Sequence, residues 1–230
     1  MNFINRESVI TNIASLIVKK RQENTPLIVG ITGVDTSGKT QLTNELKNAL
    51  INQGYQVQVV HVDDFHNERA IRYAKELSEP DQYYYRSIDF EKLARDVLKS
   101  IKKNRGLETT INHLNLDTDT WTNNKKYLIN PQTIVLLEGV FIYRDETRPF
   151  IDTFIHLHID ESTVLERAQL RDKPKQGEEV IRKYHTKYLP AQRRYLEKYN
   201  PCLIADVIIE NSNWEKPKIL KWPENFQQEA

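Results

Sequence analysis

Cysteine and glycine are scarce in this chain, and net charge is all but missing. Cys202 is the only cysteine, so no intramolecular disulfide can form, and a reducing, cytoplasmic setting is expected. The N-terminal apolar segment Ala14–Val18 is too short for a secretory core or a membrane span, so no membrane partner is expected. The net charge of +1, from 33 basic and 32 acidic side chains, argues against a protein that coats nucleic acid. Internal repeats and low-complexity linkers are also missing. The 230 residues therefore fit one domain with a small inserted lid, and association into a homo-oligomer is left open.

Because there are only seven glycines, their positions carry information. Two of them frame Gly33-Val34-Asp35-Thr36-Ser37-Gly38-Lys39-Thr40, which has the P-loop form of glycine, four residues, glycine, lysine and a hydroxyl residue. Phosphates need several backbone N–H groups aimed at one point, and a loop wrapped around a helix N-terminus supplies them. Gly33, Asp35, Thr36, Ser37, Gly38, Lys39 and Thr40 are thus the candidate nucleotide-binding residues. Lys39 would reach the outer phosphates, and the Thr40 hydroxyl would complete a magnesium shell. The flanks agree with this reading. The apolar run from Pro26 to Thr32 reads as a buried parallel strand, and Leu42, Leu46, Ala49 and Leu50 recur at helical spacing until Gly54.

Four further strands are predicted at Gln56–Val62, Thr133–Leu137, Thr153–Ile159 and Ala205–Ile209. Helical patterns separate them, one through Phe90, Leu93, Val97, Leu98 and Ile101 and another after the N-cap Asp160. A further helix is predicted over 5–21, carried by Val9, Ile13, Leu16 and Ile17. The expected fold is α/β: a three-layer sandwich around a mostly parallel sheet of about five strands. Ligands of such sheets gather at the carboxyl ends of the strands, so the residues that follow each strand are the candidates for chemistry.

After the second strand stand Asp63 and Asp64, then His66. A carboxylate here can take the proton of an acceptor hydroxyl or hold a magnesium-bound water. Asp63 is favoured over Asp64 because alternation along a strand would send the two to opposite sides. After the third strand, Glu138 with Gly139 beside it is placed to help hold the metal. Arg167 and Arg171 project from one helix face, and the segment that follows reads as a lid over about 171–182 that brings cations to the phosphates. Arg69, Tyr73, Tyr84 and Arg86, with His113 in the segment Asn112–Asp119 that precedes a turn-rich stretch through Trp121, are candidates for the acceptor pocket. His113 is not expected to bind metal. The stretch 213–230 is an expected strap or tail.

Taken together, these residues resemble the uridine kinase and phosphoribulokinase group of P-loop kinases, from about Pro26 to Asn211. The likeness rests on the P-loop, Asp63-Asp64-Phe65-His66, Leu137-Glu138-Gly139-Val140-Phe141 and Glu166-Arg167-Ala168-Gln169-Leu170-Arg171-Asp172. It continues through Tyr188-Leu189-Pro190-Ala191-Gln192-Arg193-Arg194-Tyr195 and Ala205-Asp206-Val207-Ile208-Ile209. The resemblance implies an ATP- and Mg2+-dependent kinase acting on a nucleoside such as uridine. It also implies that Asp63 is the catalytic base, that Thr40, Glu138 and Asp63 lie at the metal, and that Lys39, Arg167 and Arg171 lie at the phosphates. Uridine kinases carry a ribose-binding aspartate in a Phe-Asp-His stretch, where this chain reads Tyr83-Tyr84-Tyr85-Arg86-Ser87. Their Tyr-Asp-Phe stretch at the base pocket has no counterpart here beyond Asn112–Asp119. A vitamin precursor or sugar derivative is therefore an alternative acceptor. A GTPase-like switch is disfavoured because no Asn-Lys-x-Asp tetrad occurs, and a non-catalytic regulator would need neither Asp63 nor the lid arginines.

Overall fold

Among residues 5–224, which the computed structural model describes, eight strands form. They are β1 (Leu27–Gly33), β2 (Val57–His61), β3 (Leu107–Asn115), β4 (Thr120–Ile129), β5 (Ile134–Gly139), β6 (Thr153–His158), β7 (Val207–Glu210) and β8 (Lys218–Lys221). The longer helices are α1 (Arg6–Lys19), α2 (Lys39–Asn52), α3 over 90–104, α4 (Glu161–Arg171) and α5 over 179–199. Both α3 and α5 contain a π turn, at Ala94–Leu98 and Tyr184–Tyr188 respectively. None of the described helices is long and apolar enough to cross a membrane.

The main sheet has the order β2-β5-β1-β6-β7-β8, parallel except for β8, which runs antiparallel to β7. Every residue of β1 and β5 is buried, the pattern of strands covered on both faces. Alternation then assigns each side chain to a layer. Val29 and Ile31 of β1 pack with Ile13, Ile17, Leu42 and Leu46 of α1 and α2. Ile28 faces the opposite layer, with Leu93, Val97, Tyr127 and Tyr195. The result is the three-layer α/β sandwich expected from the sequence, with six strands rather than about five. The sixth, β8, lies inside the stretch read as a strap or tail, and residues 225–230 of that stretch lie outside the described residues.

The parallel register brings the reactive candidates to one edge. Thr32 stands beside Gly139 on one flank and His156 on the other, and His61 stands beside Glu138. The predicted N-terminal helix forms, capped by Asn5, whose Oδ1 accepts from the Ser8 N–H at 2.8 Å. Arg6 fastens it to Glu45 of α2 at 2.7 Å and to the Trp214 carbonyl at 2.8 Å.

A second sheet, the β3–β4 hairpin, stands where the sequence suggested a turn-rich stretch. The turn itself spans only 116–119. Its strands are polar on their outer face, so they lack the apolar alternation that marks a strand. A few inward residues, among them Leu114, Tyr127 and Ile129, are buried.

The segment that the sequence suggests as a lid begins where α4 ends. A helical turn at Lys173–Gln176 leads to Gly177, whose φ of 76° breaks the chain direction before α5. Ile159, Val164, Ala168, Val180, Tyr184 and Leu189 form a small core of their own beneath it. Glu79 binds the outer side through Arg182 at 3.2 Å and Thr186 at 2.6 Å.

Candidate active site

The P-loop is held open by geometry that only a few residue types permit. A Cβ on Gly33 would lie 2.5 Å from Ser37 Oγ and 2.6 Å from the Leu157 carbonyl, so glycine is required there. Gly38 has φ of 93°, the left-handed region that glycine enters freely. Thr36 has φ of 62°, a strained value for a β-branched residue, and the surrounding contacts hold it there. Its hydroxyl donates to the Val164 carbonyl at 3.3 Å, and its own carbonyl accepts from Arg167 at 3.0 Å. Lys39 donates to the Val34 carbonyl at 2.9 Å, which places its ammonium across the mouth of the loop.

Beside the loop, Thr40 donates to Glu138 Oε1 at 3.3 Å, and His61 Nδ1 lies 2.8 Å from Glu138 Oε2. Burial pushes the Glu138 carboxyl up, but the His61 hydrogen bond and the Lys39 charge outweigh it and hold it below the usual range. The same hydrogen bond raises His61 against the opposing effect of burial. Glu138 is therefore ionised. A hydroxyl and an ionised carboxylate converging at the phosphate mouth are hard oxygen donors, the set that suits Mg2+. Thr40 and Glu138 fit that ion.

A cleft of about 400 Å³ opens over the loop, bordered by Gly38, Lys39, Thr40, Arg167, Arg171 and Trp214. A second cleft, about 200 Å³, is bordered by Asp35, Asp63, His66, Tyr83, Arg171 and Tyr188, among others. Arg171 borders both. It is oriented by Asp172, with Nε to Oδ1 at 2.7 Å, and Tyr184 donates to the other Asp172 oxygen at 2.7 Å.

The phosphoribulokinase / uridine kinase family model matches residues 28–214, which takes in both clefts. The chain belongs to that family. Curated uridine kinases are similar over most of its length. That of Limosilactobacillus reuteri (strain DSM 20016) is 23% identical over 194 residues, covering 82% of this chain and 85% of the relative. That of Staphylococcus haemolyticus is 26% identical over 200 residues, covering 84% and 91%. Among solved structures, a possible uridine kinase from Bacillus stearothermophilus superposes with a TM-score of 0.68 and 31% identity, covering 86% of this chain and 96% of the other. The D-glycerate 3-kinase of Cryptococcus neoformans, at 18% identity and a TM-score of 0.56 over 80% of this chain and 87% of the other, shares the fold. As a member of this family the chain is a small-molecule kinase, a phosphotransferase with an alcohol acceptor.

The structure separates the sequence candidates. Asp63 is exposed in the 3-10 turn Val62–Phe65 and borders the second cleft, whereas Asp64 is bound to Lys125 at 2.6 Å. The reason is the turn, rather than the strand alternation that suggested the choice. Asp35 has the position of a phosphate-loop residue, but its carboxylate lies in the second cleft, accepting from Tyr83 at 2.9 Å and Gln192 at 2.6 Å. Burial raises its carboxyl, opposed by Lys39. Arg167 directs its donors to main-chain carbonyls, Thr36 at 3.0 Å, Asn211 at 2.6 Å and Ser212 at 3.0 Å. It therefore positions the P-loop against the chain after β7, and Asn211 reinforces that tie by donating to the Ser37 carbonyl at 2.7 Å.

Of the acceptor candidates, Asp63 and His66 border the second cleft. Tyr84 does not: its ring is buried against Phe141 and under Arg144, because the π turn Gln82–Arg86 turns Tyr83 to the cleft instead. His113 is buried behind Phe65, between the Asp64 carbonyl at 2.9 Å and the Tyr127 hydroxyl at 2.9 Å. Arg69, Tyr73 and Arg86 are exposed outside the cleft, with Tyr73 lying under Lys187. Sequence reading named the run containing Tyr83 without singling that residue out, and missed Asp172, Tyr184 and Tyr188 as cleft residues. The only advance signals were the run of three tyrosines and the arginine–aspartate pair at the end of α4.

Proposed function

We propose that the chain transfers the γ-phosphate of ATP to a hydroxyl of a small acceptor, uridine or a similar nucleoside being the leading candidate. The observation that carries this reading is Arg171, which borders both the P-loop cleft and the cleft containing Asp63. A phosphoryl group passing between two ligands needs such a shared cation.

In this reading the triphosphate lies in the P-loop, with Lys39 and the main-chain N–H groups balancing its charge. The exposed faces of Leu170 and Trp214 offer a flat surface to the base. Thr40 and Glu138 would hold Mg2+, with Asp63 proposed as a further ligand, and the ion would supply charge neutralisation on the phosphate oxygens. Asp63 accepts the proton of the acceptor hydroxyl as it attacks in line, and Arg171 stabilises the charge that develops between the clefts. Asp35 and Tyr83 orient the acceptor by hydrogen bonds.

A second reading keeps the chemistry and changes the acceptor to a non-nucleoside metabolite such as a sugar derivative or vitamin precursor. It is favoured by the β3–β4 hairpin, whose Asn112–Asp119 segment lies outside the second cleft, so the base-recognising stretch of uridine kinases has no counterpart there. A panel of nucleosides and hydroxylated metabolites, incubated with γ-labelled ATP and Mg2+, separates the two. Label transferred to uridine or cytidine supports the first reading. Label transferred only to non-nucleosides supports the second. Absence of any acceptor-dependent label transfer contradicts both.

A further inference from the structure

β6 carries His156 and His158 two positions apart, on the same face of the sheet, and the turn Pro201–Ile204 brings Cys202 to them. One potential ligand atom from each of the three side chains lies within 4.8 Å of the others. His156 is 1% exposed, and its Nδ1 has no hydrogen-bond partner. An unpaired buried nitrogen is costly, and neither the P-loop cleft nor the Asp63 cleft uses it.

We infer that His156, His158 and Cys202 form a binding site for a zinc-type divalent transition metal, distinct from the site of Mg2+. Two imidazoles and a thiolate are the borderline and soft donors that Zn2+ takes in tetrahedral sites, with water in the fourth position. Mg2+, which demands oxygen, is excluded by the same chemistry. Tetrahedral zinc places nitrogens at about 2.0 Å and sulfur at about 2.3 Å, so its ligand atoms sit about 3.3–3.7 Å apart. Closing from 4.8 Å takes a shift of about an ångström. His158, which is exposed, and Cys202, which is half-buried, have the freedom to make it, while His156 stays fixed between Thr32 and Ile208 on the flanking strands. The exposed side of the cluster is the route of entry. Bound there, the ion ties β6 to the turn that leads into β7.

Cobalt is the direct probe, because Cys202 is the only thiol in the chain. Titrating the full-length protein with Co2+ is expected to give one bound equivalent, with a thiolate-to-metal charge-transfer band that one equivalent of Zn2+ abolishes and excess Mg2+ leaves intact. Cys202→Ser is expected to remove the band. His158→Ala, an exposed position that leaves the fold unaffected, is expected to weaken Co2+ binding beyond the about tenfold typical of losing an outer-shell partner. Zn2+ should also raise the Tm of the parent protein and not that of Cys202→Ser. Absence of the band, a band that survives Cys202→Ser, or affinity unchanged in His158→Ala would each overturn the site.

Discussion

The cleft over the P-loop and the cleft around Asp63 meet at Arg171 but are built in opposite ways. The first is centred on the consecutive residues of the P-loop, and its shape is set by backbone: left-handed Gly38 and Thr36, glycine at Gly33, and main-chain carbonyls gripped by Arg167 and Asn211. The second is assembled from side chains that six separate segments contribute: Asp35 from the loop, Asp63 after β2, Tyr83 from a π turn, Val140 after β5, Arg171 at the end of α4, and Tyr184 and Tyr188 from α5. A phosphate chain is the same in every nucleotide and suits a fixed backbone cradle. Acceptors differ, and a wall of separately encoded side chains can change one residue at a time. In the proposed reaction, phosphate binding and acceptor binding thus occupy different kinds of structure.

Substitutions at the boundary sharpen this contrast. Asp63→Asn keeps shape but removes the proton acceptor, so kcat is expected to fall by about 10²–10⁴-fold. ATP affinity should stay within about tenfold, as read by single-turnover kinetics and nucleotide titration. Equal losses in both would erase the distinction between the clefts. Arg171→Ala is expected to slow transfer by about 10²-fold while changing the acceptor dissociation constant less. Loss of acceptor affinity alone would confine Arg171 to the second cleft.

Within the acceptor wall the effects should be smaller. Asp35→Asn exchanges a carboxyl group facing the cleft for an amide and is expected to raise the acceptor KM about tenfold, with the ATP KM unchanged. A rise in the ATP KM instead would return Asp35 to the phosphate loop. Arg167→Lys replaces a planar fork, whose two terminal nitrogens reach opposite sides, with a single nitrogen, so ATP affinity should fall by about three- to tenfold with acceptor KM unaffected.

The smallest effect expected is on stability against pH. The lowered Glu138 contributes fully above its ordinary value of 4.5, and that contribution is lost as pH falls through its folded value. The raised His61 contributes fully below its ordinary 6.5, and its share is lost as pH rises through its folded value. The pair is therefore fully effective between those values and weakens on either side. Denaturant midpoints measured across that range should show a shallow plateau that His61→Gln flattens. An unchanged profile in the variant would remove the pair from the stability of this edge.

The same contrast explains what could be read from the amino acids. The P-loop, the five parallel strands and Glu138 were legible because each is a local pattern with a steric or periodic cause. Which tyrosine of the run Tyr83–Tyr85 faces the cleft was not legible, because ordinary helical spacing does not anticipate a π turn, which shifts the facing of every residue after it. His113 looked available because its partners, Tyr127 and the Asp64 carbonyl, come from β4 and the turn after β2. The hairpin was hidden by its polar outer face, and β8 by a stretch too short and too charged to show alternation. Asp35 shows a simpler limit: position in a motif says nothing about which way a side chain leaves it.

The central claim is that donor and acceptor lie in adjoining clefts with Asp63 at the reacting hydroxyl. A crystal structure with a non-hydrolysable ATP analogue, Mg2+ and the acceptor found by the label-transfer panel tests it most directly. The terminal phosphate should lie at Lys39 and Arg171, with the acceptor hydroxyl within about 3–3.5 Å of its phosphorus and hydrogen-bonded to Asp63. An acceptor hydroxyl bound away from Asp63, or a triphosphate outside the P-loop, would contradict the account.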